Sequence, residues 1–383
     1  MGEAFISGLA VFMPNDPISN DDIESVLGLI GGQVSRSKAI ILKKNGIATR
    51  HYALDAETGE MTHTNRALTA EAIRSLLHQT GLRLEDIECL ACGTAGPDQL
   101  APNHAVMVHG ELGNPTCEVV STTGVCAAGM TALKYGYLNV LSGQVGNAIV
   151  TASEVSSSGL RASNFVQFED GQADRLQQHP AASFEADFLR WMLSDGAGAA
   201  LITGKPQGPT PLRIDWIDIH SFAHEYDPCM YSGCEKLDDG TLVGWRELGI
   251  HLAIDRGHFQ VKQDVKLLSR AIIEAAMKGL QRSKDKRQLN PSDYAWFLPH
   301  YSSAYFSKPL QAGMDSIGFS VNEARWFTNL AEKGNTGSAS IFIMLEELVK
   351  SGRLNVGEKL LCFVPESSRF TFAFMQLTVL PPA

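Results

Sequence analysis

The stretch 121-STTGVCAAGMTALKYGYLNVLSG-143 sets one cysteine, Cys126, among small residues, where a strand-like run (CEVV, 117–120) gives way to a helical pattern. A thiol at such a corner faces the free N–H groups of a helix start, which together with the macrodipole favour a thiolate. Ala127, Ala128 and Gly129 keep the corner thin, so a ligand or a neighbouring backbone can come close. By spacing alone a small core-filling cysteine fits the stretch as well as a nucleophile does. The rest of the chain has to decide.

Short Val/Ile/Leu-rich runs alternate with helical patterns throughout, as in DIECLACG, NAIVTAS, GAALIT, YAWFLPH and KLLCFVP. That alternation predicts α/β layers with buried strands. The helical patterns are TNRALTAEAIRSLLHQTGL, VKQDVKLLSRAIIEAAMKGLQR and SIFIMLEELVKSGR, with apolar residues at three- and four-residue steps. The chain also resembles itself. Cys126 is followed 16 and 17 residues later by Ser142-Gly143, and Asn335 at the same offsets by Ser351-Gly352. Both helical stretches lead to a strand ending in glutamate and serines, VTASEVSS and CFVPESS, and RLEDIECLACGTAG upstream parallels NPSDYAWFLPHYSS. Three matches in register predict two related α/β halves, 1–206 and 207–383, with Cys126 and Asn335 at matching corners.

The bulk numbers narrow the function. The 383 residues are 44% hydrophobic and 19% charged, ordinary for a globular protein with room for two core-bearing units. A net charge of −10 argues against nucleic acid as a partner, because phosphate binding needs a basic footprint. No apolar run is long enough for a membrane helix, and MGEAFISGLAVFMPN lacks a basic leader, so a cytoplasmic protein is expected. The seven cysteines are scattered and odd in number, which predicts reduced thiols. Cys89 and Cys92 form a C-x-x-C pair without the second pair a zinc site needs, so no metal is expected.

In order and context, TTGVCAAGMTAL, LPHYSS and KGNTGSAS resemble the Cys, His and Asn motifs of the ketoacyl-acyl carrier protein synthase III family. GIATRHYA (46–53), APNHA (101–105), SDGAGAALI (194–202) and GRLNVGEKLLCF also fall where that family has counterparts. The resemblance implies a thiolase-like fold of two duplicated halves in five αβαβα layers, a homodimer, and acyl carrier protein or coenzyme A thioesters as substrates without a resident cofactor. It makes Cys126 the acyl-accepting nucleophile, with His300 and Asn335 donating to a thioester carbonyl as it becomes an enolate, stabilisation aimed at developing charge. The N–H of Cys126 would be half of an oxyanion hole. The other half is in question: where the family has a glycine run this chain has PESSRFTF (365–372), with Arg369 at the last glycine. The tryptophan the family carries ahead of GIATRH is replaced by SKAIILKKNGI, which makes acetyl priming of ordinary fatty-acid synthesis a poorer fit.

Two charges stand where the family is apolar or indifferent. Glu154 ends NAIVTASE, and Arg190 lies in DFLRWMLSDGAGAALIT. A buried arginine is costly unless paired, so Glu154 is expected as its partner, either as a brace for the long insertion 155–189 or as a second acid/base device beside the cysteine. With the PESSRF ending and that insertion, the pair resembles the bacterial ketosynthase–cyclases of cyclohexanedione, dialkylresorcinol and stilbene pathways. These join a β-ketoacyl thioester to an α,β-unsaturated acyl thioester by conjugate addition and then close a ring by a Claisen step. The alternatives are a decarboxylative synthase III of fatty-acid or polyketide synthesis, and a thiolase-fold acyltransferase that makes no carbon–carbon bond. Lys262, Lys266 and Arg270 recur at four-residue steps and would share a helix face, either an ordinary solvated one or a dock for an acidic carrier protein.

Overall fold

The strands that carry the chemistry-bearing corners all join one mixed sheet. The computed structural model describes residues 2–35, 37–168 and 188–383. Five of the sheet's strands come from the first part of the chain: β1 (Phe5–Phe12), β2 (Cys89–Thr94), β3 (Glu118–Thr123), β4 (Asn147–Glu154) and β5 (Gly196–Thr203). Four come from the second: β6 (Leu212–Ser221), β7 (Tyr294–Pro299), β8 (Lys359–Glu366) and β9 (Thr371–Val379). Their order across the sheet is β3-β2-β4-β5-β1-β6-β9-β8-β7. Outward from its middle, β1-β5-β4-β2 and β6-β9-β8-β7 repeat the same path. In each the first three strands are antiparallel neighbours and the last pair is parallel. The two sets meet only where Phe5 and Ile6 pair with Arg213 and Leu212.

Six helices layer this sheet: α1 (Asn65–Thr80), α2 (His104–Leu112), α3 (Ala128–Ser142), α4 (Val265–Arg287), α5 (Ser307–Ser316) and α6 (Ser340–Lys350). Strand alternation sorts the side chains into three cores. On β8, Leu360, Cys362 and Val364 face the middle, where α3 and α6 contribute Met130, Leu133, Ile341 and Leu345. Leu361 and Phe363 face the other way, toward Leu268 and Ile272 of α4 and Leu310 of α5. On the far side Leu90 and Ile149 meet Leu68, Ile73 and Leu76 of α1 and Val108 of α2. Helices, sheet, the α3/α6 layer, sheet and helices again give the five layers expected.

Helix ends follow local chemistry. Thr64 caps α1 by accepting from the Ala67 N–H, and Gly81 ends it in the left-handed conformation. The pattern 261–282 predicts a helix that would include Lys262. The structure begins α4 at Val265 because the Asp264 carboxylate accepts from the Leu267 N–H, while Lys262 and Gln263 pair as a short strand with Tyr231 and Met230. The three-cation helix face is therefore not formed: Lys266 and Arg270 lie on α4 and Lys262 on that strand.

The central layer is tight enough to need glycine. A Cβ on Gly198 of β5 would collide with the Cβ of Phe342 in α6, and one on Gly129 would meet the Ser338 carbonyl oxygen and the Ala152 Cβ, each at 2.6 Å. Gly198→Ala is expected to lower stability by about 1–3 kcal/mol, the usual range for overpacking, read from the urea midpoint at unchanged slope.

Candidate active site

Cys126 sits in the turn between β3 and α3, 7% exposed, with Gly124 at φ 157° just before it. Ala127 precedes the first helical residue and no side chain caps the helix start. The small residues of the corner serve backbone approach: a Cβ on Gly93 of β2 would meet the Ala128 carbonyl oxygen at 2.6 Å. Burial pushes the Cys126 thiol up, and the charges of Glu366 and Glu154 push it in the same direction, with its own N–H opposing. The helix start alone does not make it a resting thiolate.

The second half supplies its partners from the end of β7 and from the turn ahead of α6. His300 follows β7 directly and its N–H donates to the Phe363 carbonyl of β8 at 2.8 Å. Burial lowers its imidazole pKa to about 4, so the ring is neutral and carries one N–H donor at physiological pH. Asn335 is fixed by its backbone, its N–H donating to Met192 at 3.0 Å and its carbonyl accepting from Ser194 at 2.9 Å. The Gly337 N–H donates to Asn335 Oδ1 at 3.0 Å, which leaves the Nδ2 amide as the donor of that side chain.

Glu154 ends β4 with 4% exposure. The Ser338 hydroxyl donates to Oε1 at 2.5 Å, and the N–H groups of Ala95 and Ser338 do so at 3.0 and 3.3 Å. Burial raises its pKa to about 7, these donors oppose the rise, and Asp195 adds to it. Gly337 makes room for the carboxylate: its φ is +54°, and a Cβ there would meet Glu154 Cγ at 2.9 Å.

The pairing expected between Glu154 and Arg190 is not made. Arg190, 1% exposed, donates from Nε to the Leu160 carbonyl at 3.0 Å and from one terminal nitrogen to Gly28 at 2.7 Å and Leu27 at 3.2 Å. Its guanidinium also lies 5.7 Å from the ring centroids of Phe165 and Trp191. Among the described residues, carbonyl oxygens and ring faces, not Glu154, meet the guanidinium. Arg190 lines neither cavity at the site. Residues 169–187 of the insertion lie outside the described residues, while Phe188 and Leu189 beyond them line one cavity.

Two cavities meet at Cys126. One, of about 490 Å³ out to its mouth, is walled by Leu268, Ile272 and Ala276 of α4, Phe306, Leu310, Phe363 and His300. The other, of about 1000 Å³, is walled by Glu154, Ser156, Asn335, Gln263, Tyr231 and Met192 among others. Cys126, Ser302 and Ser367 line both. Pro365 and Ser367, not Arg369, are the residues of the PESSRF stretch that line the cavities. Arg369 is exposed and donates to the Tyr226 carbonyl at 3.1 Å. Sequence reasoning overlooked Ser338, Ala95 and Glu366. The signal for Glu366 was present, since it occupies in CFVPESS the place Glu154 holds in VTASEVSS.

A buried thiol, two hydrogen-bond donors and a carboxyl with a pKa near 7 line two cavities of a thiolase-like fold, an arrangement suited to holding an acyl group as a thioester. Comparisons agree. Residues 284–364 match the family described as 3-oxoacyl-[acyl-carrier-protein] synthase III, C terminal. A β-ketoacyl-[acyl-carrier-protein] synthase III of Clostridium perfringens is 24% identical over 366 residues, covering 94% of this chain and 95% of that protein. Among solved structures, the tetronic acid condensing enzyme AbyA1 superposes with TM-score 0.74 at 20% identity over 98% of this chain and 99% of that one. OleA of Xanthomonas campestris, solved with bound lauric acid and lauroyl-CoA, gives 0.72 at 18% identity, covering 98% and 99%. Over most of its length the chain is similar to ketoacyl synthase III enzymes, and its fold is thiolase-like.

Glu154 makes a prediction about pH. Its folded pKa of about 7 lies above the usual carboxyl value of 4.5, so the native state holds the proton more tightly than the unfolded chain. Its contribution is most favourable below pH 4.5 and is lost as pH rises through 7, a cost on the order of 3 kcal/mol when complete. Glu154→Gln should therefore gain stability relative to the unmodified protein between pH 5 and pH 8, measured by urea unfolding at both. Equal differences at the two pH values would place the Glu154 carboxyl in water.

Proposed function

We propose that this chain is a ketosynthase–cyclase, joining a β-ketoacyl thioester to an α,β-unsaturated acyl thioester and closing the product to a cyclohexanedione or alkylresorcinol precursor. The observation that carries the reading is Glu154 itself: a carboxyl with a pKa of about 7, in the wall of the larger of two cavities that meet at one cysteine. A synthase that only decarboxylates and condenses has no step for such a base. A carbon between two carbonyls bears a proton acidic enough for a carboxylate to take, and ring formation requires that removal repeatedly.

Cys126 takes an acyl chain as a thioester and releases the carrier's thiol. Glu154 removes the proton between the carbonyls of the β-ketoacyl partner, and the resulting carbon nucleophile adds to the β-carbon of the unsaturated acyl chain. A second enolate then attacks the remaining thioester carbonyl, forming the ring bond and expelling the thiolate. His300 and the Asn335 amide donate to the thioester oxygens on which negative charge appears. The base is held by Ser338 and Ala95 in this scheme, and Arg190 acts at a distance, joining the segments around Gly28 and Leu160. Acyl carrier protein or coenzyme A brings the chains, and Lys266 and Arg270 on α4 are the cations retained from the expected dock.

Cys126→Ala should show no acyl adduct by intact-protein mass spectrometry after incubation with an acyl thioester, with the fold unchanged. Glu154→Gln should still acquire the adduct but lose cyclised product by roughly 10²–10⁴-fold, the usual worth of a general base. The deciding assay supplies a β-ketoacyl and an enoyl thioester together and asks for a cyclic product. A linear β-ketoacyl product formed only with a malonyl donor would establish the decarboxylative activity instead, and acyl transfer to oxygen or nitrogen alone would remove condensation altogether.

A further inference from the structure

The Glu154 carboxyl takes one of its donors from a loop, and that loop is held by α1. Ala95 follows β2 directly, and its N–H donates to Glu154 Oε1 at 3.0 Å and lies 3.3 Å from Oε2. Both neighbours of Ala95 are bonded to one side chain. Asn65, the first residue of α1 and 1% exposed, donates from Nδ2 to Thr94 Oγ1 at 2.9 Å and to the Gly96 carbonyl at 2.8 Å. The Gly96 N–H closes the loop by donating to Thr94 Oγ1 at 3.2 Å. Asn65 is fixed in turn, since its own N–H and that of Arg66 donate to the Asp98 carboxylate at 2.7 and 3.0 Å. One helical turn on, the Thr69 hydroxyl donates to the Asn65 carbonyl at 2.8 Å. Ser153 Oγ, on the residue before Glu154, lies 2.8 Å from Thr69 Oγ1. Asn65 and Thr69 share a helix face and so reach Glu154 from two sides, through the loop after β2 and through β4 itself.

We propose that Asn65 is a positioning residue for Glu154: its amide holds the Ala95 N–H against the carboxylate and thereby favours the charged form that can take a proton. A peptide N–H between two anchored neighbours keeps its direction, and once freed it turns toward water or another acceptor. Hydrogen bonds to the charged form are what offset burial for a carboxylate. For Glu154 they come from the N–H groups of Ala95 and Ser338 and from the Ser338 hydroxyl, so losing the first is felt by the base and not only by the fold. Among the described residues, the titratable groups that face Glu154 are Asp195 and Cys126. Asp195 adjoins Gly196, which pairs with Glu154 across β4 and β5, and Cys126 lines the same cavity. Both are kept in every variant below.

The inference rests on the proposed role of Glu154 as the base, but its test titrates the carboxyl with no substrate present. The full-length protein is labelled with carbon-13 at the glutamate carboxyl groups, and the Glu154 resonance is identified by its absence from Glu154→Gln. In Asn65→Ala the midpoint of that resonance should rise by about one pH unit, the worth of one hydrogen bond to a charged group. A brace that serves only the fold would lower the urea midpoint and leave the titration where it was, so an unmoved titration overturns the proposal. Should Asn65→Ala fail to fold, Thr94→Val keeps the shape and removes the acceptor of one Asn65 bond and of the Gly96 N–H. A smaller rise is then expected, and an unmoved midpoint again overturns the proposal. In the cyclisation assay the pH of half-maximal rate should move with the titration. A titration that rises while the rate profile stays in place supports Asn65 as the positioning residue and removes Glu154 from the rate, so the two readings fail separately.

Discussion

The close approach of α3, β4 and the turn before α6 is the constraint on which the site depends. Gly129 touches Ala152 on one side and the Ser338 carbonyl on the other, with no space for a methyl group. That contact sets Cys126 at the head of α3, Glu154 at the end of β4 and Asn335 just ahead of α6 within one small volume. Gly337 and Gly198 extend the same requirement, one for the Glu154 side chain and one for Phe342. Chemistry and packing share these positions, so side chains that would improve a helix or a strand in isolation are excluded from them. Interiors at this density transmit a single added carbon as strain.

The second constraint is electrostatic. Cys126, Glu154, Glu366, Asp195 and His300 are all buried, and burial is the largest influence on each. It pushes the acids toward their protonated forms and the histidine toward its neutral form, so the resting site carries less charge than its composition implies. Donors then sort the acids. Ser338 and Ala95 bring Glu154 back to about 7, while Asp195, bonded to Ala53 and Ser157, reaches about 6. Proton transfer near neutrality is thereby available from carboxyl groups that in water would be ionised throughout.

Much of this was legible in the chain. Strand alternation foretold the layers, whereas the matching strand-to-helix corners expected for Cys126 and Asn335 are met only at Cys126: Asn335 follows the helical turn Leu330–Lys333. The Glu154–Arg190 pair is not formed: carbonyls of Leu27, Gly28 and Leu160 accept from the guanidinium, and backbone acceptors have no sequence signature. The helix face through Lys262 failed at its cap: Asp264 outcompetes periodicity, and four-residue spacing has no meaning once one member lies on a strand. Glu366 was passed over because the repeat was used to find a nucleophile's partner and not followed to the residue that ends it.

Because the site draws its members from both ends of the chain, it has an order of assembly. Cys126 and Glu154 leave the ribosome well before His300, Asn335 and Glu366. A chain cut short of residue 300 would carry the thiol without its neutral histidine, its amide or the second carboxylate, and without the α4 wall packed against Phe363. Such a fragment lacks the residues beyond 300 that line both cavities, Ser302 and Ser367 among them. The hairpin Lys359–Val379, made after Cys126, Glu154, His300 and Asn335, is the one that brings Pro365 and Ser367 to the cavities at the sulfur.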